Sequence, residues 1–498
     1  MFKKKLFKTA LLSVCSIFLL GCNSEKNSYK ANELPQAKVD SPNIIMIIAD
    51  DMGYADLSAT KLAGDVVTPN IDRLANSGIR FTQSYVTSPV CNTSRMGLVT
   101  GSYPQRQGGY FFGLNEMSKN ASTIPEILKK VGYTTGYIGK YHYSSNENTS
   151  RDFPLNHGFD SFYGFAGGRK HFLIHDDKKQ QQHLAEKVKY NRKTGQSLRM
   201  DSMWQNNDKV TAQGISTEIF GEQAQTFIKK NKHKKFYLQL AFNAVHNFTH
   251  QLPKQYLADH GLTGMADWQP EKESYYQWYQ KGRYPNNPEG RPYYLAQLNY
   301  MDQEIGKLLD TLKKQGIEDD TLIIFVSDNG GSTPIYANNG PLRGGKYTLD
   351  EGGIRVPMLV AWPGKIKSQQ VVDNVISTMD ILPTLARITG SSIANEIDGI
   401  DISKLWLDKD KTPTQQVLIW DTHYEYAVRS GKWKLKVVHS NEHAKYEMID
   451  LKLGTQLFNL ANDQAEAHNL ANEHPKIVAR LKTIHQQWRL KMAAPVGI

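Results

Sequence analysis

Cysteine is almost absent from this 498-residue chain, which has only Cys15, Cys22 and Cys91. Two of these lie in the N-terminal segment, so Cys91 stands alone in the body of the protein. A single cysteine there can neither close an internal disulfide nor build a thiolate zinc site. Long apolar runs are missing too, and nothing after residue 20 could span a membrane. There are no internal repeats and no nucleic-acid recognition motif, so nucleic acid is set aside as a partner. Acidic residues are in deficit: 60 Lys and Arg face 49 Asp and Glu, a formal charge of +11. Such a surplus concentrates an acidic partner by steering. Part of it belongs to solvated runs such as Lys229 to Lys235.

What is present begins with an address. Lys3, Lys4, Lys5 and Lys8 precede an apolar stretch from Thr9 to Leu20 and then Gly21-Cys22. A basic start, a short apolar region and a small residue before the cut describe a signal peptide over residues 1–22, not a spanning helix. Gly21 before Cys22 resembles the lipobox of bacterial lipoproteins, which implies that Cys22 is acylated. Residues 23–41 are polar and aperiodic, as expected of a tether. The protein is therefore expected in a bacterial cell envelope, held by a lipid anchor and facing the periplasm or the outside. In that oxidising setting a reduced thiol is buried or used. Cys91 is followed by Asn92-Thr93-Ser94-Arg95, a polar neighbourhood that favours chemistry over core packing.

The remaining length suits one large domain and one smaller one, with boundaries at 42–410 and 411–498. Asn43 to Ala49 is a continuous apolar run, as in a strand buried on both faces of a parallel sheet. Tyr133 to Gly139, Phe236 to Phe242 and Thr321 to Ser327 read as further strands. Helices are expected over Ile71 to Gly78, Thr123 to Val131 and Tyr293 to Lys314. This alternation implies an α/β fold: a large, mostly parallel sheet with helices on both faces and ligands beyond the carboxyl ends of its strands. Past Thr412, alternating residues in Val417–Trp420, Tyr426–Arg429 and Trp433–Val438 predict a small antiparallel sheet, closed by a helix over Pro475 to Lys491.

Gln180 to Asn207 and Gln251 to Pro292 read as long loops. The second carries Trp268, Tyr275, Tyr276, Trp278, Tyr279, Lys281, Arg283, Tyr284 and Arg291. Such a surface either stacks on sugar rings while meeting anions or simply packs to hold the loop down.

Chemistry-bearing residues gather at strand ends. Asp50-Asp51 and Asp328-Asn329 each follow an apolar strand, and paired oxygen donors suit Ca²⁺ or Mg²⁺ far better than zinc. Lys140 and His142 follow another strand, and His246 follows a fourth. Lys346 sits in a glycine-rich stretch, Gly344 to Gly353, that permits close approach to a ligand.

These residues together resemble a type I sulfatase of the alkaline phosphatase superfamily. Cys91-Asn92-Thr93-Ser94-Arg95 with Thr100-Gly101 is similar to the sulfatase signature, whose cysteine is oxidised to formylglycine. The likeness runs from Asn43 to the C-terminus through Thr68-Pro69-Asn70, Gly139-Lys140-Tyr141-His142, Ser327-Asp328-Asn329-Gly330, Tyr426 to Leu435 and Leu457 to Leu460. It implies one Ca²⁺, with Mg²⁺ second, held by Asp50, Asp51, residue 91, Asp328 and Asn329. It also implies a hydrated aldehyde at residue 91 that attacks sulfur with help from Arg95. Lys140 and Lys346 hold the sulfate, His246 protonates the departing sugar oxygen, and His142 takes the proton that expels sulfate. A formylglycine-generating enzyme is the implied maturation partner. Three departures stand out: Thr93 where the family usually has Pro or Ala, Tyr141 where Trp is frequent, and no Pro beside His246.

Two other readings compete: a phosphonate or phosphate ester hydrolase of the same superfamily, and a non-catalytic glycan-binding lipoprotein. Envelope anchoring and basic charge favour a sulfated polysaccharide or its oligosaccharides as substrate. Algal ulvan, carrageenan or fucoidan comes first and host glycosaminoglycan next. Arg169, His171, His175 and His423 are candidates for substrate contact.

Overall fold

The computed structural model describes residues 41–167, 172–174, 203–266, 272–273, 275–407, 417–447, 449 and 451–496. The signal segment with Cys22, Arg169, His171, His175 and Trp268 lie outside the described residues.

A ten-stranded sheet organises the larger part. At its centre, Thr321–Ser327, Asn43–Ala49, Phe236–Ala241, Thr134–Lys140 and Ser161–Phe165 run parallel as successive neighbours. Every residue of Asn43–Ala49 is buried. Ile44, Met46 and Ile48 enter one core, while Ile45, Ile47 and Ala49 enter the other. A strand with apolar layers on both faces needs this period-two division, which is why the run reads as unbroken in sequence.

Toward one edge the sheet turns antiparallel through Arg355–Ala361 and Gly78–Tyr85, and Gln370–Ser377 then pairs parallel with the latter. Sequence reasoning passes over these three strands. Arg80, Thr82 and Gln83 interrupt the apolar alternation of Gly78–Tyr85, and Gln370–Ser377 is an edge strand with exposed positions. The opposite edge ends in the short hairpin Met203–Gln205 and Asp208–Val210.

Helices Pro69–Ser77, Ser216–Asn231 and Gly290–Lys314 pack together. The Asp302 carboxylate of the longest helix accepts from the Asn70 and Ile71 amides, satisfying donors that a helix start leaves open. That long helix begins at Gly290, not at Tyr293, because Pro292 is harmless in a first turn. The segment expected as loop over 251–292 contains helices Lys254–Asp259 and Tyr275–Lys281. Among the described residues no helix is long and apolar enough to cross a membrane.

Val417–Asp421, Glu425–Ser430, Trp433–Val438 and Gly454–Asn459 form a separate antiparallel sheet. Helix Pro475–Arg489 covers it, with His485 stacked on Tyr426 at 3.7 Å.

Candidate active site

Four adjacent parallel strands deliver the site. Asp50-Asp51 leaves Asn43–Ala49, Asp328-Asn329 leaves Thr321–Ser327, and Lys140 ends Thr134–Lys140. His246 follows Phe236–Ala241 by a short turn. Because these strands are parallel neighbours, their carboxyl ends open on the same edge of the sheet. Gly139 makes the Lys140 exit possible: its φ is +110°, and a Cβ there would lie 1.9 Å from the Ala241 carbonyl oxygen.

Cys91 starts the helix Cys91–Thr100, all of whose residues are buried. Its Sγ lies 3.5 Å from Asp50 Oδ1 and 3.7 Å from Asp51 Oδ1. Lys140 Nζ pairs with Asp50 Oδ2. Lys346 Nζ is 2.6 Å from Asp51 Oδ2, and Arg95 Nε is 2.7 Å from Asp328 Oδ2. Asp328 Oδ1 accepts from the Asp51 amide at 3.2 Å. His246 Nε2 approaches Asp51 Oδ2 to 3.5 Å. Asp51 has a φ of +62° and His142 one of +46°. Such backbone strain in non-glycine residues collects where a fold must aim functional groups.

Charge is finely opposed here. Burial, joined by the carboxylates of Asp328 and Asp51, pushes Asp50 up to about 7 against the pull of Lys140 and Arg95. Burial also works on Asp328, but Arg95, Lys140 and Lys346 outweigh it and hold that carboxyl below its usual range. For Lys346 the cost of burial is outweighed by its acidic neighbours together, Asp51 foremost, which keeps the amine charged. Burial drives the Cys91 thiol well up, so residue 91 as cysteine is a poor thiolate nucleophile. His142 is pushed well down by burial and by Lys140, Arg95 and Lys346, leaving a neutral imidazole. Its Nδ1 is buried without a hydrogen-bond partner among the described residues.

The donor set fits a hard divalent cation. Asp50, Asp51, Cys91 and His246 place one ligand atom each within 4.8 Å of one another. Asn329 joins them by donating from Nδ2 to Asp51 Oδ1 at 2.7 Å, while its buried Oδ1 has no partner among the described residues. An orphaned amide carbonyl beside three carboxylates is an oxygen donor suited to a hard divalent cation. The glycine-rich Lys346 stretch packs directly on the Asn329 turn: a Cβ on Gly330 would lie 1.9 Å from the Gly352 carbonyl oxygen. The structure thus brings together all ten residues singled out above: Asp50, Asp51, Cys91, Arg95, Lys140, His142, His246, Asp328, Asn329 and Lys346.

A constellation of this kind invites comparison with known enzymes. The profile of the Sulfatase family matches residues 42–391, and that of the N-sulphoglucosamine sulphohydrolase C-terminal region matches 345–491. The chain belongs to the sulfatase family. Human arylsulfatase A is 30% identical over 89% of this chain and 87% of its own length. The N-acetylgalactosamine-6-O-sulfatase of Bacteroides thetaiotaomicron is 28% identical over 94% and 96%. Among solved structures, Ps i-CgsB in complex with k-i-k-neocarrahexaose has a TM-score of 0.74 at 29% identity, covering 91% of this chain and 94% of that one. This sulfatase is a sulfuric ester hydrolase on an alkaline phosphatase-like fold.

Other residues expected at the substrate side divide. Trp278 and Tyr279 are buried: Trp278 stacks on Phe248 at 5.5 Å, and Tyr279 donates to Asn247 Oδ1 at 2.7 Å. Arg283 donates to the Tyr279 hydroxyl, and Arg291 pairs with Asp56 and Asp65. Trp278 and Tyr279 thus pack behind His246, whereas Tyr284 stays exposed beside Tyr336. His423 is exposed beside Tyr424. Thr93, at the position usually Pro, is buried and donates to Ser88 Oγ at 2.7 Å. Sequence reasoning misses Asn247, which has no motif to mark it. It also misses Asn92, whose only signal is its place beside Cys91.

Proposed function

We propose that this sulfatase removes sulfate from a sulfated carbohydrate, using formylglycine made from Cys91 by a formylglycine-generating enzyme and one Ca²⁺, with Mg²⁺ second. A galactose-configured glycan, such as a carrageenan-type algal polysaccharide or its oligosaccharides, comes first. Support comes from the likeness to a structure holding a neocarrahexaose and to an N-acetylgalactosamine-6-O-sulfatase. One observation carries the mechanism: a buried, un-ionised residue 91 at the hub of three carboxylates and two lysines.

Asp50, Asp51, Asp328, Asn329 and residue 91 would hold the ion. Together the ion and the hydrated aldehyde supply Lewis-acid polarisation of the sulfate and an oxygen nucleophile at residue 91. Lys140 and Lys346, each already pinned to a carboxylate, set positive charge where the sulfate oxygens gain negative charge. Arg95 fixes Asp328 through Nε and the Lys140 carbonyl through Nη1, so it braces the site from below. His246, on the Asp51–Lys346 side, protonates the departing sugar oxygen. His142, neutral and with an unpartnered Nδ1, accepts the proton whose removal expels sulfate. From its basic, apolar N-terminal segment and Gly21-Cys22, we further propose that the protein sits in a bacterial envelope on a lipid at Cys22.

The test is the mass of the tryptic peptide Phe81 to Arg95 from the native host, run beside sulfate release. An aldehyde at residue 91 is expected. An intact thiol in active enzyme overturns the formylglycine mechanism.

A further inference from the structure

Beside the reacting residues lies an aromatic ledge that the chemistry above does not use. Phe112 is 47% exposed, one of few large apolar side chains left open to solvent among the described residues. Its ring meets Tyr347 edge-on at 5.4 Å. Both rings are tied to the site by backbone. Asn92, next to the nucleophile position, donates from Nδ2 to the Phe112 carbonyl at 2.7 Å. The Tyr347 amide donates to the Pro89 carbonyl at 2.9 Å, and Lys346 Nζ is 5.4 Å from the Tyr347 ring centre. Phe111 is the buried anchor, touching the rings of Phe112, Tyr347 and Tyr424 at 4.9, 5.6 and 5.5 Å.

Two of these neighbours are held against their preference. Tyr347 has a φ of +74° and His423, beside Tyr424, has the same value. Left-handed backbone in a bulky residue costs on the order of 1–3 kcal/mol and persists only where the surroundings impose it. The Tyr347 ring is only partly buried, while its backbone is fixed by the amide bond to Pro89. Tyr347 follows Lys346, whose Nζ reaches Asp51, so its ring lies beside the site with the exposed Phe112 ring against it, an apolar face next to charge.

We propose that Phe112 and Tyr347 form a stacking subsite for the sugar ring next to the sulfated one. The occupant is a pyranose of a sulfated oligosaccharide: its apolar CH face meets the rings while Lys346, alongside, attracts the sulfate. This rests on the sulfated-carbohydrate reading above, and it assigns specificity for a chain over a single sugar or a simple aryl ester.

The experiment measures binding, so it does not depend on turnover. Full-length Cys91→Ser protein is titrated with iota-carrageenan tetrasaccharide, with 6-sulfated chondroitin tetrasaccharide and with 4-nitrophenyl sulfate. At least one tetrasaccharide is expected to bind more tightly than the aryl ester. Phe112→Ala should lower that preference about ten-fold, and Phe112→Trp should retain it. A preference unchanged within two-fold in Phe112→Ala overturns the subsite, as does Phe112→Trp falling with it, or no tetrasaccharide preference at all. An intact thiol at residue 91 with no sulfate release in the wild-type protein would sink the sulfatase mechanism while leaving this binding result readable.

Discussion

Replacing Lys434 by Met should damage catalysis from a distance. Lys434 is fully buried on Trp433–Val438, 2.9 Å from Glu351 Oε1 and 2.9 Å from Glu466 Oε1. Glu466 Oε2 accepts the Glu351 amide at 2.7 Å, and Glu425 accepts the Leu349 amide at 2.7 Å. The neighbouring Lys436 pairs with Asp350 at 2.6 Å. The C-terminal sheet therefore grips residues 349–351, directly after the loop that carries Lys346. Met keeps most of the apolar stem but leaves two acids without their shared cation. Breaking a buried pair on one side costs about 3–5 kcal/mol, against a total stability of roughly 5–15 kcal/mol.

The loss should also depend on pH. Burial, with Asp350 and Glu351 adding to it, already pushes Glu466 up to about 7 despite Lys434. A folded pKa above the unfolded value gives stability that is complete below the unfolded pKa, near 4.5, and lost as pH rises through the folded one. Without Lys434 that folded pKa climbs further, so the variant falls further behind wild type above pH 7 than at pH 6. Denaturant unfolding at both pH values reads the difference, and steady-state kinetics should show a fall mainly in kcat. The double variant Lys434→Met/Glu466→Gln removes one charge of each sign and should recover a coupling of about 1 kcal/mol or more. Additive costs, or a penalty equal at pH 6 and pH 8, would refute the reasoning.

Two further predictions concern histidines. His246→Ala should lower kcat on a sugar sulfate by about 10²–10⁴-fold, the usual worth of a positioned general acid. The loss should be much smaller on 4-nitrophenyl sulfate, whose leaving group needs no proton; equal losses on both would remove His246 from that role. His157, whose ring packs against Tyr143 and Phe159, is held down to about 3 by burial, with Arg151 adding to it. A depressed histidine leaves the unfolded chain binding more protons between the two values, so stability falls as pH drops from about 6.5 toward 3. About 3 kcal/mol should be gone by pH 4. His157→Gln should flatten this part of the stability–pH curve, and an unchanged slope would count against a neutral buried ring.

The site was legible because its parts announce themselves locally. Asn43–Ala49 and Thr321–Ser327 are apolar runs that stop at paired oxygen donors, Asp50-Asp51 and Asp328-Asn329, and parallel neighbours must carry such pairs to one edge. Lys140 and His246 obey the same rule at two more strand ends. What stayed hidden depends on partners far away in the chain. Alternation in Trp433–Val438 puts Lys434 and Lys436 on a polar face, which ordinarily means solvent; yet both are buried, because their counter-charges come from residues 350, 351, 425 and 466. The aromatic segment left two readings open, and its residues divide between them. Trp278 and Tyr279 lie behind His246, whereas Phe112, the last of the run Tyr110-Phe111-Phe112, stands open. Composition cannot tell these cases apart, because the same ring is core or platform according to what the fold lays over it. A strand end fixes direction without help from the rest of the chain; a face does not.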